Sequence, residues 1–158
     1  MFIRKMENND IAGCAEILCA VYNNELWMCR WNKETAIEYL NDFFHNKKFV
    51  GYVAEENGNL IAGLFAHEKI WWNNSEVFIE EMFVNPEYQG KGIGTSLLLE
   101  VEKYIKEKGL AGITCLQINT HLLQSFTRRM ALQSAGMLFS WQKRLKNRTA
   151  DNRYLMEG

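Results

Sequence analysis

The stretch "QGKGIGT", Gln89 to Thr95, places three glycines at alternate positions, Gly90, Gly92 and Gly94, directly before a long amphipathic run. Each glycine costs conformational entropy on folding, so something close to this backbone must offset the cost. Strand formers lead into the stretch, and the run after it has helical spacing. The first turn of a helix carries free N–H groups and a partial positive charge. Where side chains are missing, an anion can approach that backbone closely, which is how a phosphate site is built. A bare strand-to-helix turn would be satisfied by one glycine. Three of them, with Lys91 between and Thr95 at the helix start, point to a phosphate-bearing ligand.

The common phosphate motifs do not fit. The Walker pattern fails because Lys91 is followed by Gly92 and no earlier glycine has the right offset. The Rossmann pattern fails because Gly90 and Gly92 fit but the third position is Thr95. The strand before the loop also comes late in the chain, not at the start of a βαβ unit.

The elements that must position this loop can be read from periodicity. Phe2 to Lys5 is a short strand, and Asn9-Asp10 reads as a helix cap. Ile11, Cys14, Ala15, Leu18, Val21 and Tyr22 recur at helical spacing, and "NNELWMCRW", Asn23 to Trp31, breaks it. Asn32 caps a second helix with Ala36, Ile37, Leu40 and Phe44 inward. Phe49 to Glu55 is a strand, and Asn57-Gly58 predicts a type I′ hairpin turn, which needs positive φ at both central residues. Leu60 to Trp72 is the returning strand and Glu76 to Val84 the next, stopped by Pro86. Phe49 to Val84 is thus a three-stranded antiparallel meander. Ile93, Leu97, Leu98, Val101, Tyr104 and Ile105 form the apolar face of a helix closed by Gly109. Ile113 to Ile118 is a buried strand, Leu122 to Ser134 a helix, and Met137 to Leu145 a last strand. The order β-α-α-β-β-β-α-β-α-β describes one α+β domain with a mixed sheet.

One motif fits the loop: Q-x-x-G-x-G, here Gln89-Gly90-Lys91-Gly92-Ile93-Gly94, preceded by "EMFVNPEY". With it, the chain resembles the GNAT superfamily of acyl-CoA-dependent N-acetyltransferases, whose pyrophosphate loop carries [RQ]-x-x-G-x-[GA]. The resemblance runs from about residue 1 to about residue 146, with most of its weight in Glu80 to Gly109. It includes the small-molecule branch of the family that acts on aminoglycosides. It implies that the backbone of Met82, Phe83 and Val84 pairs with the pantetheine arm of acetyl-CoA, in a splay between that strand and the one at Ile113 to Ile118. It implies that Gln89, Gly90, Lys91, Gly92, Ile93, Gly94 and Thr95 cradle the pyrophosphate, Thr95 adding a hydroxyl, and that Asn119 binds the pantetheine.

An amine that attacks a thioester must be neutral, so a base or a desolvating, anionic pocket helps. "VFIEEMFV" puts Glu80 and Glu81 on the strand that leads to the loop. Adjacent strand residues face opposite sides, so only one of them is expected at the acceptor. Glu80 shares parity with Met82 and Val84 and is preferred, with Glu81 kept as the alternative. A bulge, common in this strand of the family, would alter that parity. The family's tyrosine that protonates the departing thiolate is absent, since Leu132 stands in its place in "ALQSAGM", Ala131 to Met137. Ser125, Thr127 and His121 are nearby hydroxyl and imidazole groups. Trp27, Met28, Trp31, Trp71 and Trp72, with Glu25, Glu80 and Glu81, could hold a cationic amine. The family thus implies a direct acetyl transfer to a small-molecule amine. A non-catalytic acyl-CoA-binding module and a peptide or protein N-terminal acetyltransferase are the alternatives.

The bulk numbers agree with such an enzyme. The chain has 158 residues, 47% hydrophobic and 13% aromatic, enough for one sizeable core. Its net charge of −1 lacks the basic excess of a nucleic-acid binder. The basic run Lys143, Arg144, Lys146 and Arg148 reads as a solvated strand end. Cys14, Cys19, Cys29 and Cys115 have no C-x-x-C spacing and no ligand spacing with His45, His67 and His121, so no metal is expected. They read as small buried hydrophobes in a reducing compartment. No signal sequence or membrane span is apparent, and the expectation is a cytoplasmic protein. Dimers are common in the family, and a C-terminal edge strand offers a surface for a homodimer.

Overall fold

A computed structural model describes residues 1–25, 27–72 and 74–115. The expectations for Leu116 to Ile118, Asn119, the helix at Leu122 to Ser134, Leu132 and the last strand lie outside the described residues.

The described elements are β1 (Phe2–Lys5), α1 (Ile11–Tyr22), α2 (Lys33–Phe44), β2 (Phe49–Glu56), β3 (Asn59–Lys69), β4 (Glu76–Val84), α3 (Ile93–Lys108) and β5 (Ile113–Cys115). The five strands form one sheet in the order β1-β2-β3-β4-β5. The first three pairings are antiparallel and β4–β5 is parallel. The fold is α+β with a mixed, mostly antiparallel sheet, as the sequence predicts.

Period-2 alternation sorts the side chains onto two faces. On one face Tyr52, Leu64, Ala66, Val77 and Ile79 pack against Ile93, Leu97, Val101 and Ile105 of α3. On the other, Val53, Phe65 and Phe83 pack against Cys14 and Leu18 of α1 and Ala36 and Leu40 of α2. Asn32 caps α2 by accepting from the Thr35 N–H at 2.8 Å. Asn57 and Gly58, with φ of 53° and 78°, make the two-residue turn between β2 and β3. Gly109 closes α3 with φ 65°.

Three expectations need correction. β3 ends at Lys69, not Trp72, because its partner β4 begins only at Glu76, opposite Lys69. Ile70, Trp71 and Trp72 lie in the exposed turn beyond. Asp10 makes no side-chain cap for α1; its carboxylate accepts instead from Arg4 and from the Glu7 N–H. Of the four cysteines only Cys14 is fully buried; Cys19, Cys29 and Cys115 are half-buried, and all four are free thiols. Burial pushes the Cys14 thiol up to about 12.

Asp10 is the buried charged residue of the core, 6% exposed. Arg4 binds it through both terminal nitrogens, at 2.7 and 2.8 Å, and also reaches Glu55 on β2. This tie joins β1, β2 and the entrance of α1. Burial alone would raise the Asp10 carboxyl. The hydrogen bonds from Arg4 and Glu7 and the charge of Arg4 outweigh it and hold the group below its ordinary value.

Arg4→Met should therefore cost about 3 kcal/mol, the cost of leaving a buried carboxylate uncompensated, read as a lower urea midpoint at unchanged slope. A lowered carboxyl contributes stability above its unfolded value, about pH 4, and loses it as pH falls through the lower folded value. Wild type should show this acid-induced loss in pH-dependent urea titrations, and Asp10→Asn should lack that part of it.

Candidate active site

β4 carries the two candidate carboxylates, and one irregularity sets where they point. Phe65 of β3 pairs with Glu81, but the next residue, Ala66, pairs with Ile79. Glu80 is the extra residue of a β-bulge. Before it, Val77 and Ile79 face α3; after it, Met82 and Val84 pack on that same side. Glu81 reaches the opposite face, where Tyr22 of α1 and Tyr39 of α2 donate to its two oxygens at 2.8 and 2.7 Å. Glu80 turns to that face too, with its Oε1 3.1 Å from Nδ1 of His67. The expectation that only one glutamate points to the acceptor side is thus corrected, as is the parity shared by Glu80, Met82 and Val84. Strict alternation fails at a bulge, and both carboxylates lie on the α1/α2 face.

Around Glu81 the aromatics are layered. Trp27 meets the Tyr22 ring edge-on at 5.3 Å, and Trp31 lies 5.0 Å from the Tyr39 ring. Burial first, then the charge and hydrogen bonding of Glu81, push both phenols well above their ordinary values. They stay protonated and donate. Two of the expected acceptor aromatics therefore join the carboxylates. Met28 is 80% exposed, and Glu25 is exposed as well. Trp71 and Trp72 lie beyond the start of β4, about 13 Å along the strand from Glu80 at its usual rise.

Tyr22, Tyr39 and His67 are the site residues that sequence reading does not assign. Tyr22 falls on the apolar face of α1, and a phenol on an inward face needs an acceptor. That requirement is the available signal.

At its far end β4 runs into the glycine loop. Asn85 accepts from the Glu87 N–H, and Pro86–Tyr88 forms a single 3₁₀ turn. The Gln89 side chain donates to the Val84 carbonyl at 3.0 Å, closing the loop back on the strand. Gly90 and Gly92 adopt φ of 76° and 80°, with open space where a Cβ would stand. Their backbone alone calls for glycine. Gly94 is different. It sits in the first turn of α3 without a positive φ, and an added Cβ would meet only Met82 Cε, at 3.8 Å. Neither strain nor crowding accounts for its missing side chain. The Ser96 N–H bonds back to Gly92 at 3.0 Å, so the N–H groups of Ile93, Gly94 and Thr95 precede the first intrahelical bond. Lys91 lies 4.7 Å over the Tyr88 ring beside them. These residues fit an anionic pyrophosphate.

Met82, Phe83 and Val84 pair with Leu64, Gly63 and Ala62 of β3. On the other edge of β4, the described pairing with β5 covers Val77 to Ile79. The expected splay beyond it and Asn119 involve residues outside the description. Among the described residues no group of three or more His, Cys, Asp and Glu could hold a metal ion. No described helix is long and apolar enough to cross a membrane.

Comparison with known proteins agrees with this geometry. The chain is 32% identical over 73 residues to thialysine N-epsilon-acetyltransferase of Mus musculus, a match covering 44% of this chain and 43% of that enzyme. It is thus similar to less than half of that relative's length. It is 28% identical over 123 residues to spermidine N(1)-acetyltransferase of Thermoplasma acidophilum, covering 68% of this chain and 72% of the relative. Its fold matches an aminoglycoside acetyltransferase from an uncultured soil metagenomic sample, solved with sisomicin. That match has a TM-score of 0.65 at 18% identity and covers 92% of this chain and 96% of the other. The acetyltransferase (GNAT) family model matches residues 18–132. The chain belongs to the GNAT acetyltransferase family.

Proposed function

We propose that this enzyme transfers the acetyl group of acetyl-CoA directly to a primary amine of a small molecule. The observation that carries the reading is the bulge at Glu80. It turns Glu80 and Glu81 onto one face of β4, immediately before that strand enters the open glycine loop. The pyrophosphate of acetyl-CoA would sit on the backbone of Gln89 to Thr95, and the pantetheine along Met82, Phe83 and Val84, with Asn119 beyond. The acetyl group would then lie near the bulge. Glu80 and Glu81 draw the ammonium in, and Trp27 and Trp31 offer aromatic area to the cation. The acceptors in the names of the two relatives, thialysine and spermidine, are cationic amines, which supports a small-molecule amine over a nucleic acid or a membrane. Neither a homodimer nor a cytoplasmic location is needed for this chemistry.

Calorimetric titration with acetyl-CoA, with ATP and NADH as controls, tests the cofactor. Gly94→Ala is the informative variant. It should leave stability unchanged or raise it by up to about 1 kcal/mol, since alanine favours a helix. It should nonetheless weaken acetyl-CoA binding about tenfold or more. Gly92→Ala should cost about 1–2 kcal/mol through its left-handed backbone. Equal affinity in Gly94→Ala and wild type would remove the loop from the cofactor site.

Thiol release with spermidine, thialysine and sisomicin as acceptors tests the chemistry. Glu80→Gln and Glu81→Gln should each lower turnover while acetyl-CoA binding persists. For each the loss should be about tenfold, roughly 1.4 kcal/mol of transition-state stabilisation. Unchanged turnover in both would remove the two carboxylates from the mechanism.

A further inference from the structure

His67 stands on β3 opposite Phe78, two positions beyond Phe65, so its side chain shares the α1/α2 face with the carboxylates. Its Nδ1 is 3.1 Å from Glu80 Oε1, and both side chains are about a quarter exposed or less, at 21% and 25%. The imidazole leans on the Phe78 ring, 5.6 Å between centroids. Among the described residues its Nε2 has no hydrogen-bond partner. Among the other titratable and charged groups on this face are Glu81 and Glu76 of β4, Tyr22 and Cys14 of α1, Tyr39 of α2 and Lys69 of β3, which pairs with Glu76, with Arg4 and Asp10 at its far end. Lys69 Nζ lies 4.5 Å over Phe78, and β2 presents Phe49 opposite His67.

The two glutamates therefore differ in what they can do. Both oxygens of Glu81 are occupied by phenol donors, which fixes its position. Glu80 has an imidazole beside it instead. An imidazole can both accept a proton and hand it on, and here it stands 3.1 Å from a carboxylate that can orient it.

We propose that His67 is a catalytic residue of this enzyme: it takes the proton of the acceptor amine, with Glu80 as its orienting counter-charge. This rests on the acetyl-transfer reading above. In the step, the amine nitrogen forms its bond to the acetyl carbonyl carbon and the carbon–sulfur bond breaks. The amine proton passes to His67, and the electron pair leaves with the sulfur as a thiolate. The imidazolium so formed lies 3.1 Å from Glu80, so the transferred charge is neutralised where it arises. The thiolate takes a proton from the imidazolium, or from solvent while the imidazolium releases its own proton to solvent, and neutral His67 is restored.

The test is the pH dependence of kcat/KM for wild type, His67→Gln, His67→Asn, Glu80→Gln and the double variant His67→Gln/Glu80→Gln, with spermidine, thialysine and sisomicin. Both His67 variants should lose about 10²-fold in kcat at pH 7.5 with KM within about threefold. Their acid limb should move down toward the carboxylate range. Glu80→Gln should lose less, about tenfold, and keep an acid limb, because the imidazole remains. The double variant should be no slower than His67→Gln by more than about threefold, since groups that act as a unit are not additive. Wild-type turnover with kcat and acid limb unchanged in the His67 variants would overturn the assignment. So would a fall in kcat with an unmoved limb, which marks a structural role, or loss of the limb in Glu80→Gln, which would make Glu80 the base. Absence of acetyl transfer by wild type to any amine would overturn the acetyl-transfer reading itself, and this assignment with it.

Discussion

The structure turns on the departure from alternation at Glu80 of β4. A strand in the middle of a sheet must send successive side chains to opposite faces, and β4 obeys this rule on either side of Glu80. Both faces of the sheet are packed, α3 on one and α1 with α2 on the other. A carboxylate cannot simply be added to such a strand without displacing an apolar neighbour into the wrong layer. The bulge resolves this conflict. It gives the α1/α2 face two acidic side chains in succession while Ile79 and Met82 remain on the α3 side. The tyrosines, the tryptophans and the histidine then have two differently equipped carboxylates to serve.

The glycine loop is organised by a different constraint. Two of its glycines are required by their own backbone angles and would be required with or without a ligand. Gly94 has no such reason. Separating these roles matters, because glycine-rich turns are often credited to ligands as a whole. Here the local geometry accounts for Gly90 and Gly92 and leaves Gly94 without a local reason.

Much of this is legible in the sequence, and the limits have physical causes. The loop, helix α3 with its Gly109 stop, and the Asn57-Gly58 turn are readable because each depends on residues close in the chain. The end of β3 is overrun because Ile70, Trp71 and Trp72 are good strand formers, while the strand in fact ends where its partner begins. The orientation of Glu80 is misread because "VFIEEMFV" contains no glycine or proline to announce a bulge, and period 2 carries straight through it. Tyr22 and Tyr39 are hidden because an inward tyrosine on a helix looks like packing until the strand that receives its hydroxyl is in place. His67 shows in the sequence only as a histidine without metal-ligand spacing, since its neighbour Glu80 is distant in the chain and adjacent only in the sheet.

The bulge also has a genetic consequence. If Glu80 is struck from β4, the remaining residues alternate without a fault: Val77, Ile79, Met82 and Val84 on one side, Phe78, Glu81 and Phe83 on the other. Glu80 is thus equivalent to a one-codon insertion in an otherwise regular strand. The apolar lettering that directs folding is indifferent to it, while the approach of a carboxylate to His67 depends on it entirely. At this position the instructions for the fold and those for the chemistry are written in separate codons.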